Sequence, residues 1–431
     1  MVNLTPFNIA VPDSQIEQLQ QKLEYATFPD ELDAAGWDMG VPLAEAKRLA
    51  TVWRENFDWR AQEKKLNDQL KQFILPVSVD GFGELDIHLV YHRSENPNAI
   101  PLLFIHGWPG SFLEATKLIP LLMKEDGGPD FDIIAPSLPN FGFSMGVQKK
   151  GFGLAQYAET LHKVMVSLEY DEYGKLIQGG DWGSMIARTM SQYYAKHIQA
   201  IHLNFIPVIP PYPWRSPLRF FQSLVSVPFS AKDRAYIARS MDYLMRGNAY
   251  MKQQETRPQT LGYGLHDSPV ALLAWIYDKL HSWSDSYSWT DEEILTWVSI
   301  YYFSRAGPTA STRIYYEASA KRSANNSTAE NGTADGQEPK NWMPLEQVLA
   351  AQAPPNVRFA VAQFKEELVM WPMAWYHSIG NVVKEKEFDR GGHFAAFEVP
   401  ELLAGDLYEF FGRDGAAYEA VQGKDGYRAS G

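Results

Sequence analysis

The chain has 431 residues, of which 45% are hydrophobic and 21% charged, so it is long enough for one elaborated domain or two. Its net charge of −13 argues against a nucleic-acid partner, because no basic surplus is present to neutralise phosphates. The sequence contains no cysteine, which excludes disulfides, thiolate nucleophiles and cysteine metal sites.

Segments that direct a chain to a membrane are not apparent in the sequence. Residues 1–7 lack a basic stretch followed by an apolar run. No apolar run approaches the ~18–20 residues that a membrane span requires. We therefore expect a soluble, cytoplasmic protein, and we expect no metal or organic cofactor because no site for either is visible.

Residues 1–90 are predicted to form a helical region followed by the first strands. Ile16, Leu19 and Leu23 follow helical spacing, and Asp80-Gly81-Phe82-Gly83 is a turn signal between two strand-like runs. The predicted helices begin near residue 13 and cover 43–57 and 59–70, and the predicted strands cover 73–79 and 85–91.

Residues 91–207 alternate between buried-strand and helical patterns. Such alternation predicts a parallel sheet with helices on both faces, the first part of a catalytic core. The predicted strands are 101–105, 131–135, 175–178 and 200–205, with helices from 112, over 153–168 and over 184–196.

Residues 208–340 interrupt this alternation with a proline-rich exit and a long helical stretch rich in aromatic residues. Strand patterns return at 357–361 and 382–386, so residues 341–431 are predicted to complete the core. A helical insertion between two strands of such a sheet predicts a lid over its carboxyl edge. Within the insertion, residues 321–340 are polar and almost free of apolar side chains, which predicts a flexible loop.

The stretch Gly179-Gly180-Asp181-Trp182-Gly183-Ser184 lies between a predicted strand and a predicted helix. This is the setting of a nucleophile elbow, a tight turn that exposes one side chain above a parallel sheet. Here Asp181 stands where a serine hydrolase carries its serine. A carboxylate attacks saturated carbon and forms an ester that water must then cleave. Ser184 lies one helical turn further on, away from the apex, which disfavours a serine esterase.

Cleavage of such an ester needs a base and an acid that orients it. His393 follows the last predicted strand, where a loop residue can reach the elbow. Glu367 or Glu366 follows the preceding strand, and Asp389 is also close to His393 in sequence. The chain order of nucleophile, acid and histidine is that of the α/β-hydrolases. His106, at the end of a strand, is instead expected to have a structural hydrogen-bonding role.

The remaining chemistry concerns an oxyanion and a leaving atom. The backbone N–H groups of Trp108 and Trp182 are predicted to form an oxyanion hole, and both side chains are expected to contact substrate. An epoxide oxygen needs strong donors such as two lid tyrosines, whereas a halide needs weak donors such as indole N–H. A haloalkane dehalogenase and a non-catalytic small-molecule receptor on the same scaffold are the alternatives.

Six motifs in register make the chain resemble the epoxide hydrolases, in particular the microsomal and fungal branch. The resemblance covers nearly the whole chain, including a helical leader of about 90 residues. The motifs are HGWPG at 106–110, GGDWGS at 179–184, RGGHFAAFE at 390–398, YM at 250–251, TRPQT at 256–260 and DSPV at 267–270.

The resemblance implies an α/β-hydrolase fold with a mostly parallel central sheet, a helical lid inserted between core strands and an N-terminal helical extension. It implies an enzyme that converts a small-molecule epoxide to a diol through a covalent ester. The N-terminal region is expected to clamp the lid, to pack on another subunit, or both, so a homodimer is an expected partner. The implied catalytic residues are Asp181 as nucleophile, His393 as base, Glu367 as acid, and Tyr250 and Tyr316 as lid tyrosines, Tyr316 aligning better than Tyr315.

Overall fold

The computed structural model describes residues 4–123, 127–170, 175–214, 217–319, 343–421 and 423–428. Its centre is a nine-stranded sheet in the spatial order β1-β2-β3-β5-β4-β6-β7-β8-β9. Pairings among β1, β2, β3 and β5 are antiparallel, and those that join β5, β4, β6, β7, β8 and β9 are parallel. The strands are β1 Thr5–Phe7, β2 Gln72–Val79, β3 Gly83–His92, β4 Ile100–Ile105, β5 Phe131–Pro136, β6 Lys175–Gly179, β7 Ile198–Leu203, β8 Arg358–Gln363 and β9 Asn381–Glu387.

The described residues form seventeen α-helices around this sheet. In chain order they are α1 Asp13–Glu24, α2 Leu43–Glu55, α3 Trp59–Gln69, α4 Ala115–Leu122, α5 Leu154–Ser167, α6 Asp181–Tyr193, α7 Pro217–Ser226, α8 Ala231–Asp242, α9 Ala249–Thr256, α10 Pro258–Asp267, α11 Pro269–Ser282, α12 Asp291–Tyr302, α13 Arg313–Ala318, α14 Leu345–Ala350, α15 Met373–Tyr376, α16 Ala395–Glu398 and α17 Pro400–Phe411. The mostly parallel sheet with its helices confirms the predicted fold class.

The central strands are buried along their whole length. Every residue of β4 and β5 is buried, as expected for strands covered by helices on both faces. Helix α5 packs on α6, and α4 packs on α17. This burial makes the carboxyl ends of β4, β6, β7 and β8 a rigid edge, from which the loops of the candidate site project.

The N-terminal residues take part in both the sheet and the lid contacts. They supply β1, β2 and β3 to the central sheet, of which β1 was not predicted. Helices α1, α2 and α3 pack against α11 or α12. Ion pairs join Arg48 to Asp291 at 2.6 Å and Lys65 to Glu292 at 2.7 Å. The first ninety residues therefore connect the sheet to the helices that cover it.

Helices α7 to α13 lie between β7 and β8 in the chain, as predicted for a lid. One turn of π-helix, Tyr243–Gly247, joins α8 to α9. The segment 321–340, predicted to be flexible, lies outside the described residues.

Candidate active site

Asp181 is the first residue of α6 and has a backbone φ of +44°, in the left-handed region that non-glycine residues rarely adopt. The turn is tight enough to require glycines on either side. A Cβ on Gly183 would lie 2.0 Å from the carbonyl oxygen of Ile105, and one on Gly179 would lie 2.8 Å from the backbone of Gly183. This strained strand-to-helix turn presents the Asp181 side chain above the sheet.

The loop after β4 packs directly on the Asp181 carboxylate. The Trp108 N–H donates to Asp181 Oδ1 over 2.7 Å. A Cβ on Gly107 would lie 2.1 Å from the same oxygen, so only glycine allows this approach. The Trp182 N–H belongs to the first turn of α6, where amides have no acceptor within the helix. Of the two amides predicted to form the oxyanion hole, that of Trp108 contacts the carboxylate, and that of Trp182 follows Asp181 directly in the chain.

His393 lies between two carboxylates. Its Nε2 is 3.2 Å from Asp181 Oδ2, and its Nδ1 is 2.6 Å from Glu367 Oε1. Burial by itself lowers the pKa of His393, but the charges and hydrogen bonds of Glu367 and Asp181 outweigh it and hold that pKa well above the ordinary value. The two carboxylates therefore favour the protonated imidazole, whose Nδ1 is hydrogen-bonded to Glu367.

The structure brings Glu367, and not Glu366, to His393. Glu367 is 2% exposed, and its Oε1 also accepts from the Leu368 N–H over 2.7 Å. Glu366 turns outward and pairs with Arg239 of α8. Arg239 also donates from Nε to the Glu367 carbonyl oxygen over 3.0 Å, so the lid holds the backbone of the acid in place.

Two lid tyrosines lie against the tryptophans on either side of the carboxylate. The Tyr250 ring stacks on Trp108 with centroids 5.4 Å apart, and the Tyr315 ring meets Trp182 edge-on at 4.8 Å. Burial raises the pKa of both phenols well above the ordinary value, with the nearby Asp181 charge adding to the shift. Both hydroxyls therefore keep their protons at neutral pH and can act as donors. Tyr315 Oη forms no hydrogen bond of standard geometry with the described residues.

The sequence favours Tyr316 as the second lid tyrosine, whereas the structure places Tyr315 beside the elbow. Adjacent residues of a helix point about 100° apart, so only one of the two tyrosines on α13 can face the elbow. Tyr315 is 4% exposed and surrounded by Trp108, Trp182 and Tyr250. Tyr316 is half-buried and makes none of these ring contacts.

Sequence reasoning assigned no role to three side chains that support this site. Tyr243 Oη is 2.9 Å from Tyr250 Oη. Glu398 accepts from the N–H groups of Asp285, Gly392 and Phe394, which holds the loop around His393. The only sequence signal for Glu398 is its position at the end of the motif that contains His393, and Tyr243 has none because its contact depends on the lid fold.

Glu114 is the third of these side chains. A Cβ on Gly110 would lie 1.7 Å from Glu114 Oε1, so the carboxyl group rests on the loop that contacts Asp181. Burial is the main cause that raises the pKa of Glu114 to about 8, against the charge of His393 and hydrogen bonds from the backbone of Ser111 and Gly107. The group is therefore mostly protonated at neutral pH.

Two polar residues near the elbow have structural contacts. His106 is 1% exposed, and burial lowers its pKa to about 4. Its Nδ1 donates to the Gly107 carbonyl oxygen over 3.0 Å, and its Nε2 accepts from the Leu138 N–H over 3.2 Å. Ser184 Oγ donates to the Asp181 carbonyl oxygen over 2.7 Å. Their polar atoms are thus used within the protein.

The described ranges contain neither a cluster of metal ligands nor a membrane-spanning helix. None of their His, Asp and Glu side chains gather in groups of three or more that could hold a metal ion. Each helix in these ranges is too short or too polar to span a bilayer.

The sheet, the inserted helices and the elbow define the class of α/β-hydrolase-fold proteins. The profile of the alpha/beta hydrolase fold matches residues 100–400, and that of the epoxide hydrolase N terminus matches residues 4–115. The chain belongs to the epoxide hydrolases of this fold, and it is an epoxide hydrolase.

Relatives and solved structures agree with this assignment. Epoxide hydrolase 1 of Sus scrofa is 31% identical over 446 residues, which cover 95% of this chain and 89% of the relative. The Aspergillus niger epoxide hydrolase is 30% identical with a TM-score of 0.77, over 94% of this chain and 95% of that one. The juvenile hormone epoxide hydrolase of the silkworm Bombyx mori is 27% identical with a TM-score of 0.80, over 94% and 93%.

Proposed function

We propose that this epoxide hydrolase produces vicinal diols through a covalent hydroxyalkyl ester on Asp181. The observation that carries the proposal is the position of the Asp181 carboxylate. His393 Nε2 lies 3.2 Å from its Oδ2, and the rings of Tyr250 and Tyr315 pack on the two tryptophans beside it. A nucleophile, a base and two protonated phenols are thereby available to one small electrophile.

Ester formation uses the carboxylate and the phenols. The Trp108 N–H holds Oδ1, which aligns the carboxylate for attack by Oδ2 on the less hindered epoxide carbon. The carbon–oxygen bond of the epoxide breaks, and Tyr250 and Tyr315 donate to the departing oxygen. Donors aimed at the charge that develops in the transition state supply much of the rate acceleration in such sites.

Ester hydrolysis uses His393, whose protonation depends on Asp181. In the free enzyme the Asp181 and Glu367 carboxylates keep the pKa of His393 high. Alkylation removes the negative charge of Asp181, so the pKa of His393 falls and the imidazole can lose its proton. The neutral imidazole then activates a water that attacks the ester carbonyl, while the Trp108 and Trp182 amides stabilise the oxyanion and Glu367 stabilises the returning cation.

The residues of the site favour an epoxide over an alkyl halide as the substrate, and they favour catalysis over ligand binding alone. A halide leaving group is matched by indole N–H donors, whereas the phenols of Tyr250 and Tyr315 suit an oxygen. A receptor would have no use for an imidazole held between a carboxylate at the elbow and a second buried one. The substrate is proposed to be a small, apolar epoxide, because aromatic rings line the site.

The decisive test of the ester is isotopic. In a single turnover of styrene oxide in ¹⁸O-water, the new oxygen of the diol should come from Asp181 and carry no label. His393→Gln should form the ester and retain it, visible as a mass increase of one substrate molecule on the intact protein, and Asp181→Ala should show neither ester nor diol. Label in the first diol would overturn the covalent route.

We also propose that the predicted regions have separate functions. Residues 1–90 clamp the lid, residues 91–207 and 341–431 form the catalytic core, and residues 208–340 form the lid. The ion pairs from Arg48 and Lys65 to α12 support the clamp.

A cytoplasmic location is proposed from the absence of cysteine, and cell fractionation with an epoxide assay tests it.

A homodimer is proposed through the lid. Ten of the exposed large hydrophobic side chains in the described ranges fall within residues 212–245. Apolar surface concentrated in this way is typical of an association surface. We name it the lid face and define it by Tyr212, Trp214, Leu218, Phe221, Leu224, Val225, Phe229, Met241, Leu244 and Met245.

A further inference from the structure

The lid holds a third tyrosine next to the proposed pair. Tyr243 Oη lies 2.9 Å from Tyr250 Oη, and either oxygen can be the donor in this hydrogen bond. Tyr243 begins the π-helical turn Tyr243–Gly247, which lies between α8 and α9. Single π-helical turns of this kind recur at functional sites because they redirect a side chain.

The local structure is shaped to hold the Tyr243 ring. A Cβ on Gly247 would lie 2.7 Å from Tyr243 Cδ2, so a larger residue there would displace the ring. Just before the turn, Ser240 Oγ donates to the Met370 carbonyl oxygen over 2.6 Å and accepts from the Met370 N–H over 2.7 Å. Arg239 holds the Glu367 carbonyl in the same way. The lid segment that carries Tyr243 is therefore fixed to the core beside the acid.

We propose that Tyr243 is a positioning residue that acts through Tyr250 in the ester-forming step. The proposal rests on the mechanism given above. As the epoxide carbon–oxygen bond breaks, the electron pair stays on oxygen, and Tyr250 passes its proton to that oxygen. Tyr243 then donates its hydroxyl hydrogen bond to the Tyr250 phenolate oxygen and keeps its own proton. Tyr250 regains its proton from the one that His393 releases after ester formation, and the water that His393 activates restores the imidazolium, so the net reaction is epoxide plus water to diol.

Three observations support this assignment. Tyr250 is 7% exposed, so a phenolate there would be poorly solvated without a donor. Burial raises the pKa of Tyr243 above its ordinary value, so its hydroxyl stays protonated. The Lys279 ammonium lies 4.9 Å from the Tyr250 ring centroid, which favours negative charge on the same phenol.

The test separates the two chemical steps with Tyr243→Phe, which keeps the ring and removes only the hydroxyl. Stopped-flow tryptophan fluorescence with styrene oxide should show ester formation about 10- to 100-fold slower, the loss expected for a hydrogen bond to a developing anion. Ester hydrolysis should be unchanged, because it depends on His393. Tyr263→Phe, at an exposed position of α10, is the matched control and should behave as the unmodified enzyme.

A double-mutant cycle shows whether Tyr243 works through Tyr250. In the Tyr250→Phe background, Tyr243→Phe should have no further effect on ester formation. The proposal is overturned by wild-type ester formation in Tyr243→Phe, by the same loss in both backgrounds, or by equal slowing of both steps. If Tyr243→Phe does not fold, Gly247→Ala serves instead, because its added methyl group displaces the Tyr243 ring. This variant should slow ester formation alone, and wild-type kinetics in Gly247→Ala would count against the proposal. Absence of any ester in the unmodified enzyme would instead reject the mechanism itself.

Discussion

His393 illustrates how single residues in this site depend on each other's charge. Its two ring nitrogens face Asp181 and Glu367, and the carboxylates overcome the effect of burial on its pKa. In the proposed mechanism Asp181 is consumed in the ester, so the imidazole becomes available as a base only after the first step. A premature neutral imidazole would offer no benefit, since no ester is yet present to hydrolyse.

The buried Glu114 leads to a prediction about how the stability of the protein depends on pH. Its pKa is raised to about 8 in the folded protein, mainly by burial, against about 4.3 for a solvated glutamate. Between these values the folded state holds a proton that the unfolded state has released, so the free energy of unfolding falls as pH rises, by at most about 1.4 kcal/mol per pH unit.

The measurement is denaturant unfolding of the wild type and Glu114→Gln between pH 5 and pH 9. Glutamine cannot ionise, and His393, Asp181 and Tyr301, which interact electrostatically with Glu114, are present in both proteins. The stability of the wild type relative to the variant should fall with rising pH until about pH 8 and then level off. Parallel curves for the two proteins would show that Glu114 is not protonated in the folded state.

At the scale of elements, packing between the short helices of the lid brings its tyrosines together. Helix α13 packs on α9, which brings Tyr315 and Tyr250 to a centroid distance of 6.0 Å. The π-helical turn before α9 adds Tyr243 to the same cluster. Three phenols from separate elements thus meet above one carboxylate.

The register of α13 yields a direct comparison of two adjacent tyrosines. Tyr315→Phe removes a buried hydroxyl beside the elbow and should slow ester formation by about 10- to 100-fold, as for the loss of one donor to a developing alkoxide. Tyr316→Phe should leave both steps within twofold of the wild type, because Tyr316 lies outside the cluster. Pre-steady-state kinetics with styrene oxide measure both, and the reverse result would restore Tyr316 as the second donor.

At the scale of the whole molecule, the N-terminal residues contact both the central sheet and the lid. Their strands extend the sheet, while Trp37 stacks on His281 at 3.5 Å and Trp53 meets Tyr302 edge-on at 6.0 Å. The helices that cover the site are therefore supported from the outside by the beginning of the chain. The lid face, whose ten side chains lie between positions 212 and 245, remains exposed.

The lid face leads to the prediction about assembly. Leu218 is 85% exposed and Phe221 61% exposed, so glutamate at either position is compatible with the folded monomer. Light scattering should show a dimer for the wild type and a monomer for the double variant Leu218→Glu, Phe221→Glu. Leu32→Glu, at a 66% exposed position in the N-terminal region, should remain dimeric. A monomeric wild type, or a dimeric double variant, would reject this interface.

Much of the fold and part of the site could be predicted because their signals are local. Alternating apolar strands and helices indicated the parallel sheet, and the elbow glycines around Asp181 follow from steric limits within a few residues. His393 and Glu367 could be nominated because residues after parallel strands meet at one edge of the sheet. The short strand β1 was missed, since three residues carry almost no periodic signal.

The sequence by itself determined that a carboxylate stands at the elbow, that a histidine and an acid follow in chain order, and that a helical insertion covers them. Only the tertiary structure decided that Tyr315 rather than Tyr316 faces the elbow, and that Tyr243 forms a hydrogen bond with Tyr250. It also decided that the Glu114 carboxyl group rests on the loop after β4 that contacts Asp181. The physical reason is that helical periodicity sets the angle between neighbouring side chains but not the direction of the helix. That direction is set by packing between segments far apart in the chain, such as α9 against α13.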